Sequence, residues 1–206
     1  MRDAAPWPDA LERGEAGAPL AGESRSGDLA VFTAYEGNAL VAAIDGLGHG
    51  SGAADAAEAA AATFREHPGE QPESLLKRCH RALRSTRGVV ATLAWFDLAT
   101  GGLTWTGVGN VEGRLVRADS AKGDAIEAPT LFGGVIGWSL PAVRLVRTRL
   151  EPGDCVVMAT DGIAADFGSS LAPGVPAPEQ ARRVLESHAR GSDDALVVAV
   201  RYLPEA

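Results

Sequence analysis

Short apolar runs that suit β-strands dominate the chain, and they occur in groups. Residues 29–36 and 39–44 flank Gly37-Asn38, a pair typical of a tight hairpin turn. Later runs of the same kind are residues 89–96, 103–108, 114–118, 143–150, 155–159 and 195–202. The turn-forming segment 97–102 predicts that the strands at 89–96 and 103–108 form a second hairpin.

Three segments have the pattern of helices. Residues 53–65 are rich in alanine, the strongest helix former, and Pro68 follows them. Residues 72–87 begin with a proline and repeat apolar side chains at helical spacing, and residues 178–190 form the third segment. Grouped strands separated by helices favour an α+β fold in which helices cover two antiparallel sheets.

The size and composition suit one domain. The chain has 206 residues, of which 46% are hydrophobic, enough for a core between several layers. Residues 1–20 have little periodicity, so we expect a peripheral N-terminal lead-in there and a single domain over residues 21–203. Trp95, Trp105 and Trp138 are expected in the core or at its margin.

Charge and cysteine content exclude several classes of protein. The net charge of −8 argues against nucleic-acid binding, and the basic residues between Lys77 and Arg87 are interpreted as a solvated surface. No apolar run is long enough to span a membrane, and none at the N-terminus indicates a secretory signal. Cys79 and Cys155 are expected to be buried free thiols, so we expect a cytoplasmic protein without membrane contact.

Aspartates recur where the predicted strands begin or end. Asp28 precedes a strand, Asp45 and Asp161 follow strands and are themselves followed by glycine, and the pair Asp193-Asp194 precedes the last strand. One such residue is typical of a cap or a turn, but several from distant parts of the chain need a common explanation. Buried carboxylates require a compensating positive charge, and hard cations such as Mg²⁺ and Mn²⁺ prefer carboxylate ligands. The scattered histidines and cysteines make a zinc site improbable.

The glycine-rich segment after Asp45 has a second interpretation. Gly48, Gly50 and Ala53 match a G-x-G-x-x-G/A dinucleotide-binding pattern after a strand and before a helix. That pattern needs a second strand that ends in an acidic residue about twenty residues later. A proline-rich turn and another helix occupy this region, so the dinucleotide site is kept only as a disfavoured alternative. His49 lies in the same segment, either as a structural hydrogen-bonding group or as a catalytic residue.

Taken in order, these motifs resemble the metal-dependent serine/threonine phosphatases of the PP2C or PPM family. The chain is most similar to the SpoIIE-related bacterial branch, in particular to the stand-alone phosphatases of the stressosome system. The resemblance covers residues 22–202. It rests on Ser26-Gly27-Asp28, Asp45-Gly46-Leu47-Gly48-His49-Gly50, Thr160-Asp161-Gly162 and Ser192-Asp193-Asp194, with support from segments 79–83, 86–90, 107–111, 132–134 and 137–141.

The resemblance implies an αββα sandwich with two Mn²⁺ or Mg²⁺ ions at one edge, between two antiparallel sheets. By analogy, Asp45 would bridge both ions, Gly46 would offer its carbonyl, and Asp161 and Asp193 would complete the ligand set. Asp28 would act through metal-bound water. Asp194 is the alternative to Asp193, and Asp166 is set aside because its spacing differs from the family pattern. Arg25 is a candidate phosphate-binding residue, although its offset from the first aspartate also differs.

The implied activity is hydrolysis of phosphoserine or phosphothreonine by hydroxide attack on phosphorus at the two-metal centre. The implied substrates are phosphorylated STAS-domain proteins of a stressosome-type switch. A catalytically silent module that only docks the phosphoprotein is the alternative, and loss of Asp45 or Asp161 would mark it. A small-molecule phosphomonoesterase is a third hypothesis, and a partner-docking surface would argue against it.

Overall fold

The computed structural model describes residues 5–119 and 126–203. The strands in this part of the chain are β1 (Leu11–Ala18), β2 (Asp28–Tyr35), β3 (Asn38–Gly46), β4 (Val89–Asp97), β5 (Gly102–Val108), β6 (Glu112–Val116), β7 (Ile126–Glu127), β8 (Leu131–Phe132), β9 (Val146–Arg149), β10 (Cys155–Ala159) and β11 (Ala195–Tyr202). The helices are α1 (Ser51–Glu66), α2 (Pro72–Ala82), α3 (Ala177–His188) and a 3₁₀-helix at Ala165–Ser170.

The strands form two sheets. The order in one sheet is β1-β11-β10-β6-β7, and the order in the other is β2-β3-β4-β5-β8, with β9 also paired to β5. All pairs are antiparallel except the two-residue pairing of β5 with β8. The prediction of two antiparallel sheets is therefore confirmed, with one short parallel exception.

Three apolar clusters show that the layers stack as helix, sheet, sheet, helix. The cluster between the sheets includes Val41, Phe96, Trp105, Val156 and Val198. A second cluster packs α1 and α2 on the sheet of β2–β5, and a third packs α3 on the sheet of β10 and β11. The central strands are buried on both faces, which explains why they are continuous apolar runs and do not alternate with polar residues.

Two secondary-structure predictions need correction. The expected lead-in is wrong for residues 11–18, which form β1 and pair with β11 along the whole strand; residues 1–4 lie outside the described part. A strand with charged and small residues at the sheet edge has a weak apolar pattern, which explains the error. Helix α2 ends at Ala82, earlier than predicted, because Leu83, Thr86 and Gly88 form hydrogen-bonded turns after it.

The tryptophans and cysteines allow a further comparison. Trp105 is buried and Trp95 is partly buried, as expected, but Trp138 is 66% exposed, so its expected place at the core is wrong. Cys79 and Cys155 are buried free cysteines, which confirms that prediction. No helix in the described ranges is long and apolar enough to cross a membrane.

Candidate active site

The two sheets bring four aspartates to one end of the sandwich. The hairpin of β2 and β3 pairs Asp28 directly with Asp45, while Asp161 follows β10 and Asp193 precedes β11. Strands β10 and β11 are neighbours in the opposite sheet. A cleft of about 240 Å³ opens here, lined by Asp45, Leu47, Gly48, Val90, Asn110, Val135, Asp161 and Asp193. Sequence positions 28, 45, 161 and 193 therefore converge on one site.

Asp28 and Asp45 have strongly perturbed acidities. Burial, the largest cause, together with the carboxylates of Asp28, Asp161 and Asp193, raises the pKa of Asp45 to about 8. Burial, offset in part by a hydrogen bond from Thr160, raises the pKa of Asp28 to about 7, and nearby carboxylates add to the increase. Among the described residues, no basic side chain forms an ion pair with Asp28 or Asp45, so neither carboxylate has a neutralising partner there.

Thr160 positions Asp28 from the opposite sheet. Its hydroxyl donates a hydrogen bond of 2.6 Å to Asp28 Oδ2 and accepts one of 2.9 Å from the Leu196 amide. Asp28 is only 6% exposed and, unlike its strand partner Asp45, does not line the cleft. This geometry suits the predicted indirect role of Asp28.

Asn110 is a site residue that the sequence analysis did not single out. Its Nδ2 donates a hydrogen bond of 2.8 Å to Asp161 Oδ2, and both residues line the cleft. Asn110 belongs to the turn between β5 and β6, and it was visible only as part of the 107–111 segment of the family resemblance. This hydrogen bond orients the Asp161 side chain through Oδ2. Its Oδ1 accepts no hydrogen bond from the described residues.

Asp193 and Asp194 are adjacent but differ in their surroundings. Asp194 is 3% exposed, and its two oxygens accept hydrogen bonds of 2.8 Å from the amides of Leu20 and Gly27. It therefore anchors the segment that precedes Asp28. Asp193 lines the cleft, and its Oδ1 accepts a hydrogen bond from the Asp194 amide. The geometry leaves Asp193 available to a ligand, whereas Asp194 is occupied by the backbone.

The glycines after Asp45 and Asp161 are required by close backbone contacts. A Cβ at Gly46 would lie 2.2 Å from the carbonyl oxygen of Ala53 at the start of α1. A Cβ at Gly162 would lie 1.9 Å from the carbonyl oxygen of Asp194. Tight packing of helix and strands around the carboxylates is the reason that the structure gives.

Arg25 and His49 do not line the cleft. Arg25 forms ion pairs with Asp55 and Glu58 on α1, at 2.9 and 2.8 Å. His49 is exposed, and its Nδ1 lies 3.1 Å from Glu23 Oε1. Asp166 is also exposed and lies 3.3 Å from His188 Nδ1, in the 3₁₀-helix away from the four aspartates. The structure therefore does not bring these three residues into the site.

The donor chemistry of the cleft fits hard divalent cations. Carboxylates are the only charged side chains among the described lining residues, and the side-chain amide of Asn110 accompanies them. No three acidic, histidine or cysteine side chains in the described residues close around one point to form a complete ligand cluster. Magnesium ions usually keep several waters and bind one or two carboxylates, so spaced aspartates on an open cleft suit them.

The four-layer αββα fold with carboxylates at one edge is the architecture that the resemblance to PP2C phosphatases predicts. The model of the family described as stage II sporulation protein E (SpoIIE) matches residues 35–203. The chain therefore belongs to the SpoIIE family.

Individual relatives agree with this assignment. The phosphoserine phosphatase RsbX of Bacillus subtilis (strain 168) is 27% identical over 154 residues, which cover 74% of this chain and 75% of RsbX. A structure from work on the bacterial stressosome, a modular system adapted to control secondary messenger signaling, is 30% identical with a TM-score of 0.84. The match covers 93% of this chain and 99% of the stressosome chain. RsbX in complex with magnesium has the same fold, with a TM-score of 0.83 at 22% identity over 98% of this chain and 99% of that chain.

Proposed function

We propose that this chain is a metal-dependent serine/threonine phosphoprotein phosphatase. The observation that carries the proposal is the convergence of Asp45, Asp161 and Asp193 on one cleft, with Asp28 paired to Asp45 on the neighbouring strand. Among the described residues, no basic side chain forms an ion pair with Asp28 or Asp45. Four acidic groups at such a site would be costly in the absence of a cation. The intact set also argues against the silent docking module.

Two Mn²⁺ or Mg²⁺ ions are the proposed cofactors, with Asp45, the Gly46 carbonyl, Asp161 and Asp193 as ligands. When bound, such ions activate water as a nucleophile and neutralise the phosphoryl oxygens. The protein's own contribution is orientation. Thr160 donates a hydrogen bond to Asp28, and Asn110 donates one to Asp161. Asp194 accepts hydrogen bonds from the amides of Leu20 and Gly27 and so fixes the segment that precedes β2.

The proposed substrates are phosphorylated STAS-domain proteins of a stressosome-type switch in the cytoplasm. The similarity to RsbX, a phosphoserine phosphatase, and to a structure from the stressosome supports this choice. Asp45, Asp161 and Asp193 line a surface cleft of about 240 Å³, which is space for a phosphoryl group to reach them. Phosphate release from a phosphoserine STAS-domain protein, compared with free phosphoserine, would separate this proposal from a small-molecule phosphomonoesterase.

Hydrolysis of p-nitrophenyl phosphate tests the chemistry directly. We expect Mn²⁺-dependent turnover that EDTA abolishes and that Asp45→Asn lowers by about 100-fold or more, because a carboxylate that would hold the ions is lost. Asp166→Asn is the matched control, since Asp166 is an exposed aspartate away from the cleft. Absence of turnover and of metal binding in folded wild-type protein would contradict the proposal and favour the docking module.

A further inference from the structure

Arg87 directly precedes a glycine that contacts two of the cleft-lining residues. The carbonyl of the next residue, Gly88, accepts a hydrogen bond of 3.1 Å from the Leu47 amide, and a Cβ at Gly88 would lie 2.7 Å from Val135 Cγ1. Leu47 and Val135 both line the cleft. The backbone therefore holds position 87 next to the entrance, on the side of the glycine-rich segment.

The side chain of Arg87 lies along that segment. A Cβ at Gly52 would lie 2.6 Å from Arg87 Nε and 2.8 Å from its Cζ, and a Cβ at Gly48 would lie 3.2 Å from Nη1. Arg87 Nη1 also donates a hydrogen bond of 3.4 Å to the His49 carbonyl. Glycines at positions 48 and 52 thus leave the space that the guanidinium occupies, beside the cleft-lining residue Gly48. This packing distinguishes Arg87 from an arginine that simply extends into solvent.

Arg87 keeps its charge available. It is exposed, and it forms no ion pair with any residue in the ranges 5–119 and 126–203. Its hydrogen bond to His49 is long, so most of its five donors are free. Arg25, the candidate from sequence, has its charge neutralised by Asp55 and Glu58 on α1. Of these two arginines, only Arg87 combines a free guanidinium with a place at the cleft.

A phosphate group that enters this cleft meets Asp45, Asp161 and Asp193 in a chain of net charge −8. A fixed cation at the entrance would offset that repulsion, and the planar fork of arginine binds phosphate oxygens in a bidentate manner. We propose that Arg87 contacts the phosphoryl group of the substrate and that Gly48 and Gly52 exist in part to seat its guanidinium. This inference rests on the proposed phosphatase function and assigns the phosphate contact within that site.

The test measures binding of inorganic phosphate, with and without Mg²⁺, by calorimetry, alongside KM and kcat for p-nitrophenyl phosphate. Arg87→Ala is expected to weaken phosphate binding about 10- to 100-fold, since one or two charge-assisted hydrogen bonds are lost. KM is expected to rise with it, whereas Mg²⁺ affinity is expected to stay within about twofold because Arg87 is not a metal ligand. Arg87→Lys should restore part of the phosphate affinity, because it keeps the charge without the fork.

Arg84→Ala is the matched control, since Arg84 is an exposed arginine in the turn after α2 and does not line the cleft. Phosphate affinity of Arg87→Ala within about twofold of wild type, or a larger loss in Arg25→Ala, would overturn the assignment. No phosphate binding by wild-type protein in Mg²⁺ would overturn it as well. Failure of metal-dependent turnover in wild type is a separate result, because it tests the phosphatase function and not the phosphate contact.

Discussion

At the residue scale, the same side chain has two different uses within this site. Asp194 has both oxygens bonded to backbone amides, so it acts as a structural anchor. Asp45 is partly buried, lines the cleft and accepts no hydrogen bond from any described residue, and its pKa is raised to about 8. Buried polar groups are normally satisfied, and those that are not tend to mark functional sites. The contrast identifies Asp45 as the carboxylate that needs a ligand from outside the chain.

Thr160 offers a test of how the two sheets are joined at the site. Thr160→Val removes the hydroxyl that bonds Asp28 and the Leu196 amide, and both are buried. We expect a loss of about 1–3 kcal/mol in the free energy of unfolding, measured by urea denaturation, because two polar groups lose their partner. Thr160→Ser keeps the hydroxyl and should lose less than half of that amount. Equal stability of the valine variant and wild type would show that water replaces the hydroxyl.

At the element scale, the site depends on close approaches between the ends of strands and the start of a helix. Gly46 ends β3 against the first residues of α1, and Gly162 follows β10 where the chain passes the Asp194 backbone before β11. These contacts leave no room for a Cβ. They set the separation of the cleft aspartates. Asp45 directly precedes Gly46, Asp161 directly precedes Gly162, and Asp193 adjoins the Asp194 backbone that Gly162 contacts.

Gly162→Ala tests this packing. The added Cβ would lie 1.9 Å from the Asp194 carbonyl oxygen, so the backbone must shift, and we expect destabilisation of about 2 kcal/mol or more. Gly133→Ala is the control, since a Cβ there meets no atom within 4 Å and its φ is not in the left-handed region. Thermal unfolding followed by circular dichroism measures both variants. A Gly162→Ala protein as stable as the control would show that the strand ends adjust freely.

At the scale of the whole molecule, the two sheets bring the negative charge of several aspartates together at one edge. The inter-sheet core, which includes Val41, Phe96 and Val198, fixes the relative position of the sheets. Its packing energy therefore opposes the repulsion among the aspartates at the edge. A bound cation would remove that repulsion, so metal binding and folding stability are expected to be coupled.

The pH dependence of stability tests this coupling. The pKa values of Asp28 and Asp45 are raised from 3.8 to about 7 and about 8 in the folded protein. Between pH 4 and 8 the folded state therefore binds more protons than the unfolded state, so the stability of the metal-free protein should fall as pH rises through this window. We expect a decrease on the order of a few kcal/mol.

Urea denaturation in EDTA at pH 5 and pH 8.5 measures this effect, and Asp45→Asn provides the comparison because it removes one of the two titrating groups. The variant should show a smaller decrease than wild type. Saturating Mn²⁺ at pH 8.5 should restore stability to wild type more than to the variant. Metal-free wild type that is as stable at pH 8.5 as at pH 5 would contradict this account of the site.

The sequence by itself determined most of the elements and the identity of the acidic site residues. Strands β10 and β11 have the bounds that their apolar runs predict, and α1 follows from its alanine content. A strand that is buried on both faces is apolar at every position, so a continuous apolar run within one short segment is enough to identify it. The ordered aspartate motifs identified the family for the same reason, since each motif is a short segment whose residues are adjacent in sequence.

Only the tertiary structure decided which of these residues share a cleft and what holds them there. Pairing of β1 with β11, the Thr160–Asp28 bond, the anchoring of Gly27 by Asp194 and the seat of Arg87 all join residues far apart in sequence. Such contacts have no local pattern, because strand order and backbone approach distances are set by packing of the two sheets. The physical reason is that the sequence shows directly where each carboxylate stands in the chain. Its hydrogen-bond partners and its burial depend on residues that only the folded structure brings near it.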